Sequence, residues 1–271
     1  MTEIGFVDYT TMNVDKNATY DSLKGRVAII TGAGQAIGRG YAHYFSAQGG
    51  IPVIADIDGG NAKNVAAEIE AKGGKALAVE VDVADEQSAK DMVAAALKAY
   101  GRLDILINNA AIFSRITMAP FWELPVDEWR RAVDVNVTGS FLCARAAVPP
   151  MIEAKWGRVV NVSSGTVIQG RVNYLHYITT KSAMIGMTRS MARELGPHGI
   201  TVNTFWPGVM QTEVERPSVP RAAFERLTST QCIPRQGTIH DLAKAMMFVC
   251  SDEAAYFTGQ GILVDGGQVF L

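Results

Sequence analysis

The stretch that decides the fold is Val27-Ala-Ile-Ile-Thr-Gly-Ala-Gly-Gln-Ala-Ile-Gly38. Its first four residues form a short apolar run, as expected of a strand buried on both faces of a parallel sheet. The run passes directly into Thr31–Gly38, and a helical pattern follows from Arg39 to about Gln48. Strand, glycine turn and helix is the context in which such a turn binds phosphate. Backbone N–H groups and the positive helix end point at the anion, and glycine lets it approach closely. The same residues also fit a plain tight turn, so the chain on either side has to discriminate.

A second apolar strand, Ile51–Ala55, ends at Asp56, which lies 18 residues after Gly38. That is close to the ~20 residues at which an acidic side chain bonds an adenosine ribose. Its charge would repel a 2′-phosphate, and Gln35 brings no cation into the turn, so NAD is favoured over NADP. Asp56 also suits the N-cap of the next helix, a part that Asp58 could equally play.

Further out, strands and helices keep alternating. Lys75–Val81 reads as a strand ending at Asp82-Val83, and Asp104–Ile107 as one closing on Asn108-Asn-Ala-Ala111. Gly157–Val162 closes on Ser163-Ser164, Ile200–Phe205 ends at Pro207-Gly208, and Gly261–Val264 is the last strand. Helical patterns cover Asn61–Lys72, a segment capped by Asp85, Asp127 to about Val148, the region from Ser182 towards Glu194, and Ile239–Ser251. This order predicts an α/β fold: a doubly wound, Rossmann-like parallel sheet of about seven strands with helices on both faces. Residues 1–22 are mostly polar and aperiodic and read as an N-terminal arm, with 23–271 as a single dinucleotide-binding and catalytic domain. Val209–Gly237, with three prolines, has the size of a lid.

The 271 residues are 48% hydrophobic and carry a net charge of -2. That balance supplies a large core and no electrostatic reason to expect nucleic acid or an anionic membrane. No apolar run reaches the ~18 residues of a spanning helix. Met1–Phe6 lacks the order of a signal peptide. Cys143, Cys232 and Cys250 match no metal-ligand spacing, so no metal is expected and a reduced, cytoplasmic setting is.

Tyr177-Ile-Thr-Thr-Lys181 places a phenol and an ammonium four residues apart, on one face of a helix. A phenol ionises near ~10, too high for a base at neutral pH. A nearby cation favours the phenolate and lowers that value. With eight tyrosines in the chain the pair alone means little, so its location matters. Asn108, Ser164 and Pro207 fall at carboxyl ends of strands, where open parallel sheets bind ligands. Tyr177 opens the helix after one of them.

Taken together, Thr31-Gly32 with Gly38, Asp82, Asn108-Asn109-Ala110, Asn136, Ser164, Tyr177-x-x-x-Lys181, Pro207-Gly208 and Asp265-Gly266-Gly267 make residues 23–268 resemble a short-chain dehydrogenase/reductase. The resemblance implies that Tyr177 exchanges the substrate proton, Lys181 lowers its pKa and bonds the nicotinamide ribose, and Ser164 holds the substrate oxygen. It implies a water chain anchored by Asn136. It puts Gly32, Gln35, Ala36, Ile37, Gly38 and Asp56 on the cofactor, with Asp82 and Val83 at the adenine. Asn109 and Ala110 fall on the ribose side, and Pro207, Gly208, Met210 and Thr212 near the nicotinamide. By this register Tyr174 and Ser163 are decoys. Ala36 and Ala111 stand where the family usually has glycine, which bears on cofactor affinity rather than chemistry. A homo-oligomer, dimer or tetramer, is implied by the resemblance alone.

The loops after Ala111, between Gly165 and His176, and after Gly208 are expected to wall the pocket. They supply Phe113, Ile116, Met118, Phe121, Trp122, Val167, Ile168, Leu175, Trp206 and Met210, which suit a medium-sized, mainly apolar secondary alcohol or ketone. Arg115, Gln169, Arg171 and Asn173 are placed to reach a carboxylate or hydroxyls, and His176 reads as structural. The rivals are a carbonyl reductase of another role, on a 3-oxoacyl or polyol substrate, and a non-catalytic dinucleotide-binding scaffold. The intact Asn136, Ser164, Tyr177 and Lys181 set weighs against the scaffold.

Overall fold

Seven short runs become the strands of one sheet: helices bury the five inner strands on both faces and leave the two edge strands partly covered. The computed structural model describes residues 19–113, 116–214 and 221–270. The chain runs β1 (Val27–Thr31), α1 (Ala36–Ala47), β2 (Ile51–Asp56), α2 (Gly59–Ala71), β3 (Leu77–Glu80) and α3 (Glu86–Tyr100). β4 (Ile105–Asn108) leads to α4 (Val126–Val133), a π-helical turn over Asp134–Thr138, and α5 (Gly139–Ala154). Then come β5 (Gly157–Val162), the one-turn α6 (Thr166–Gln169), α7 (Leu175–Leu195) and β6 (Ile200–Pro207). Last are α8 (Arg221–Ser229), α9 (Ile239–Cys250) and β7 (Gly261–Val264).

The strands pair in the order β3-β2-β1-β4-β5-β6-β7, every pair parallel. The expected doubly wound α/β sheet is therefore the one observed. Alternation along β1 sends Ala28 and Ile30 into a core built with α1, α2 and α9. Val27 and Ile29 face the opposite core, built with α3, α5 and the C-terminal end of α7. Strand order reverses between β1 and β4, and the crevice at their carboxyl ends is where such sheets take ligands.

Local differences from the sequence reading have physical causes. α1 starts at Ala36, because its first turn is the end of the glycine turn itself. α7 starts at Leu175, so Tyr177 and Lys181 both lie on it. The helix expected to end near Val148 continues to Ala154 through Pro149 and Pro150, its last turns held by the fully buried Ala147 and Met151. α6 and α8 were invisible as periodicity, since one is a single turn and the other lies in a proline-flanked loop. Residues 1–18, most of the expected arm, lie outside the described residues. Its last residues are packed: the Tyr20 N–H donates to Gln48 Oε1 at 2.9 Å, and Ser22 Oγ bonds Glu253 and the Asp252 N–H.

At the amino ends of the strands, the buried Asp104 carboxylate accepts the Val27 N–H at 2.8 Å and two arginines, Arg26 at 3.0 Å and Arg102 at 2.7 Å. It ties the start of β4 to the start of β1. Asp104→Ala strands these donors and is expected to lower stability by ~3–5 kcal/mol, read from the denaturant midpoint.

Candidate active site

The glycine turn is shaped by close backbone approach. Gly32 has φ +64°, and a side chain there would put its Cβ 2.8 Å from Ala110 Cα. At Gly38 a Cβ would lie 2.3 Å from the Gly32 carbonyl oxygen. Both positions exclude any other residue. Asn109 holds the turn against the end of β4: its Nδ2 donates to the Thr31 and Gly32 carbonyls at 2.9 and 3.0 Å. Thr31 Oγ1 accepts the Asn109 and Ala110 N–H groups in return, at 3.0 and 3.1 Å.

The two departures from glycine prove unlike. Ala36 has φ +50°, a left-handed conformation that crowds an L side chain. Ala111 has no positive φ, so its methyl group imposes no backbone strain.

Asp56 closes β2 with its carboxylate turned to the glycine turn, Oδ2 accepting the Gly34 N–H at 2.8 Å. Oδ1 accepts the Asp58 N–H at 3.0 Å. The N-cap of α2 is Asp58, which accepts the Gly60 and Asn61 N–H groups. Of the two aspartates, Asp56 is the one left facing the crevice.

A cavity of about 380 Å³ runs along the carboxyl edge of the sheet. Gly32, Gln35, Ala36, Ile37, Gly38 and Asp56 line it at one side, with Asp82, Val83, Asn109 and Ala110 beside them. Ser164, Tyr177, Lys181, Pro207 and Gly208 line the other side. Two distant sets of predicted residues thus share one space.

On that other side Tyr177 is buried, with the Phe113 ring 4.6 Å and the Tyr174 ring 6.4 Å away, centre to centre. Lys181 Nζ lies 5.9 Å from the Tyr177 ring centre and donates to the Val162 carbonyl at 2.8 Å. Burial pushes the Lys181 pKa down to about 8, since the ammonium gives up water for a single carbonyl. Ser164 Oγ accepts from Thr166 Oγ1 at 2.9 Å and sits in the cavity wall. The neighbouring Ser163 also lines the cavity and donates to the Lys181 carbonyl at 2.7 Å, a structural tie between β5 and α7. Tyr174 lies outside the wall beneath the Arg171 guanidinium, 4.3 Å from its ring centre.

Three predicted residues are not in the wall. Asn136, on the π-helical turn, is buried behind it: Oδ1 accepts the Ile112 N–H at 2.8 Å and Nδ2 donates to Thr180 Oγ1 at 3.0 Å. It joins the loop after β4 to the first turns of α7. Met210 turns into the core, where its backbone forms an isolated parallel bridge with Gly237 and its sulfur fills the space a Gly237 side chain would need. Thr212 is buried as well.

The expected apolar wall needs correction. Of its ten residues only Phe113 lines the cavity. Met118, Phe121, Trp122, Ile168 and Leu175 are exposed instead, and Trp206 is buried against Gly261 of β7. Gln169 and Arg171 do line the space; Arg115 lies outside the described residues. His176 is buried with neither ring nitrogen bonded among the described residues, and burial lowers its pKa. Arg131 and Val135, one helical turn apart before Asn136, were missed as wall residues. Their spacing of four from each other was the available signal.

Comparison with known proteins agrees with this geometry. The profile of the family described as enoyl-(acyl carrier protein) reductase matches residues 32–268. A 3-oxoacyl-[acyl-carrier-protein] reductase of Aquifex aeolicus is 35% identical, over 91% of this chain and 98% of that protein. A trans-4-hydroxycyclohexanecarboxylate dehydrogenase of Sinomonas cyclohexanicum is 35% identical, over 92% of this chain and 94% of its own. A Serratia marcescens short-chain dehydrogenase/reductase mutant superposes with a TM-score of 0.82 at 31% identity, covering 91% of this chain and 99% of that one. The chain belongs to the short-chain dehydrogenase/reductase family. It is an oxidoreductase, of a family that works with a nicotinamide cofactor.

The residues present fit such a group. The start of α1 already receives an anion of the chain's own, the Ala36 N–H donating to Glu213 Oε1 at 2.8 Å. Replacing Ala36 by glycine removes the left-handed strain and is expected to raise stability by about 0.5–1 kcal/mol, measured by thermal or chemical denaturation.

Proposed function

We propose that this enzyme interconverts a medium-sized, mainly apolar secondary alcohol and its ketone with NAD(H), using Tyr177 as general acid and base. The observation that carries this reading is the sharing of one cavity by the glycine turn, the Asp56 carboxylate and the Tyr177–Lys181 pair. Gly32–Gly38, Asp82, Val83, Asn109 and Ala110 would hold the dinucleotide, with Pro207, Gly208 and Thr212 towards its nicotinamide. Asp56 would accept from the adenosine ribose and exclude a 2′-phosphate. When bound, the nicotinamide supplies or accepts the hydride.

The chain's own part is the proton and the positioning. Ser164 holds the substrate oxygen next to the phenol. Tyr177 takes the hydroxyl proton during oxidation and returns it during reduction. Lys181, held by the Val162 carbonyl, places its positive charge where it favours the phenolate. Asn136 fixes the π-helical turn against α7 and is assigned the proton path to solvent. Phe113, its ring tilted against that of Tyr177, forms the apolar floor for a ring-sized substrate. The alicyclic hydroxy acid of the Sinomonas relative is of the right size, and Gln169 and Arg171 line the same cavity. Reduction of a carrier-bound 3-oxoacyl group, as named for the Aquifex relative, is the second reading. The reading includes residues 23–271 acting as one domain, a cytoplasmic setting and a dimer or tetramer.

Turnover is followed by the near-ultraviolet absorbance of the reduced cofactor, across cyclic alcohols, their ketones and a 3-oxoacyl thioester. NAD is expected to be preferred over NADP by ~10-fold or more in kcat/KM, and Asp56→Ala to narrow that gap. Tyr177→Phe is expected to cost at least ~10²-fold in kcat; a rate within a few-fold of wild type sinks the assignment. Lys181→Met should lose activity by a similar ~10²-fold factor while the melting temperature holds or rises, because a buried ammonium leaves the fold.

A further inference from the structure

The segment after β6 returns across the carboxyl edge of the sheet, with Val209 and Val214 in the cavity wall. Between them Glu213 reaches the start of α1. Its Oε1 accepts the Ala36 N–H at 2.8 Å and lies 3.5 Å from Arg39 Nη1. Arg39 is held in place by Glu68, with contacts of 2.6 and 3.0 Å, and Glu68 in turn meets His43 Nε2 at 2.9 Å. The other Glu213 oxygen, Oε2, is buried and has no hydrogen-bond partner among the described residues. The carboxylate is therefore only half satisfied. It occupies a backbone N–H that a helix start offers to phosphate, in a turn whose residues Gln35–Gly38 all line the cavity.

We propose that Glu213 is an affinity-determining residue for the dinucleotide: its carboxylate is a built-in anion that occupies the head of α1 until the cofactor's diphosphate displaces it. Two anions cannot share the Ala36 N–H, and their charges repel at that range. The free energy of the Glu213 contact is thus subtracted from that of cofactor binding, as for any protein whose competent state must first be populated. The exchange leaves the surroundings standing, since Arg39 keeps its two bonds to Glu68 when Glu213 departs. It also frees the Val209–Val214 segment from the turn as the cofactor enters. The inference rests on the dinucleotide reading of the cavity and adds a competitor to it.

The test compares wild type with Glu213→Gln, which removes the charge, and Glu213→Ala, which removes the contact. NADH is titrated by its fluorescence, and amide hydrogen exchange is followed in the peptide containing Ala36 without cofactor. The expected result is NADH binding ~3- to 10-fold tighter in both variants, with faster exchange at Ala36 in Glu213→Ala. Equal or weaker NADH binding in both folded variants overturns the inference and leaves the dinucleotide reading intact. If neither wild type nor variants bind NADH, both fall together.

Discussion

The structure depends on how closely β1 and β4 approach at their carboxyl ends. There the strand order reverses, and the glycine turn packs against Asn109 and Ala110. Asn109 clamps the turn with two donated side-chain bonds and Thr31 Oγ1 accepts two backbone N–H groups, so four hydrogen bonds fix the crevice before any ligand arrives. Each is worth ~1 kcal/mol net, and losing one partner would cost more than that by orphaning the other. A side chain at Gly32 or Gly38 would push these strands apart. Everything downstream, from the seating of Asp56 to the register of Ser164, is measured from this junction.

Lys181 is the most costly side chain the fold buries beside the cavity. It is fully enclosed, and its ammonium keeps one carbonyl partner in place of a hydration shell. The surrounding ties compensate: Ser163 grips the Lys181 carbonyl, and Asn136, Thr180 and the Tyr177 carbonyl form a chain of bonds along the first turns of α7. These polar groups are buried and tie the first turns of α7 to the π-helical turn and to the end of β5. Such networks fix a conformation more than they add stability.

Much of this was legible in the sequence, for identifiable reasons. Buried parallel strands are continuous apolar runs, so all seven could be read. Tyr177 and Lys181 were found because four residues is a helical turn, and Ser164 was separated from Ser163 by register rather than by chemistry. In the structure both serines line the cavity, and Ser163 donates its hydroxyl to the Lys181 carbonyl. What escaped detection depends on contacts remote in the chain. Glu213 meets Ala36 from 177 residues away, and no local pattern announces such a meeting. The apolar wall failed for a related reason: composition shows that a loop carries aromatic rings, but not which way it turns. The strain at Ala36 was missed because a glycine pattern reveals which residue departs, not the dihedral angle it must adopt.

The bridge between Met210 and Gly237 joins the two ends of the segment that follows β6. Chain between two tied points can lengthen, shorten or change composition at small entropic cost, because closure entropy grows only with the logarithm of length. The tie therefore isolates the floor of the site, with its phenol, ammonium and glycine turn, from whatever the intervening residues become. Variation is channelled into a cassette whose anchors do not move. A lineage carrying this bridge can rewrite that cassette, and with it the cavity wall at Val214, while the strands and helices that hold Tyr177, Lys181 and the glycine turn stay in place.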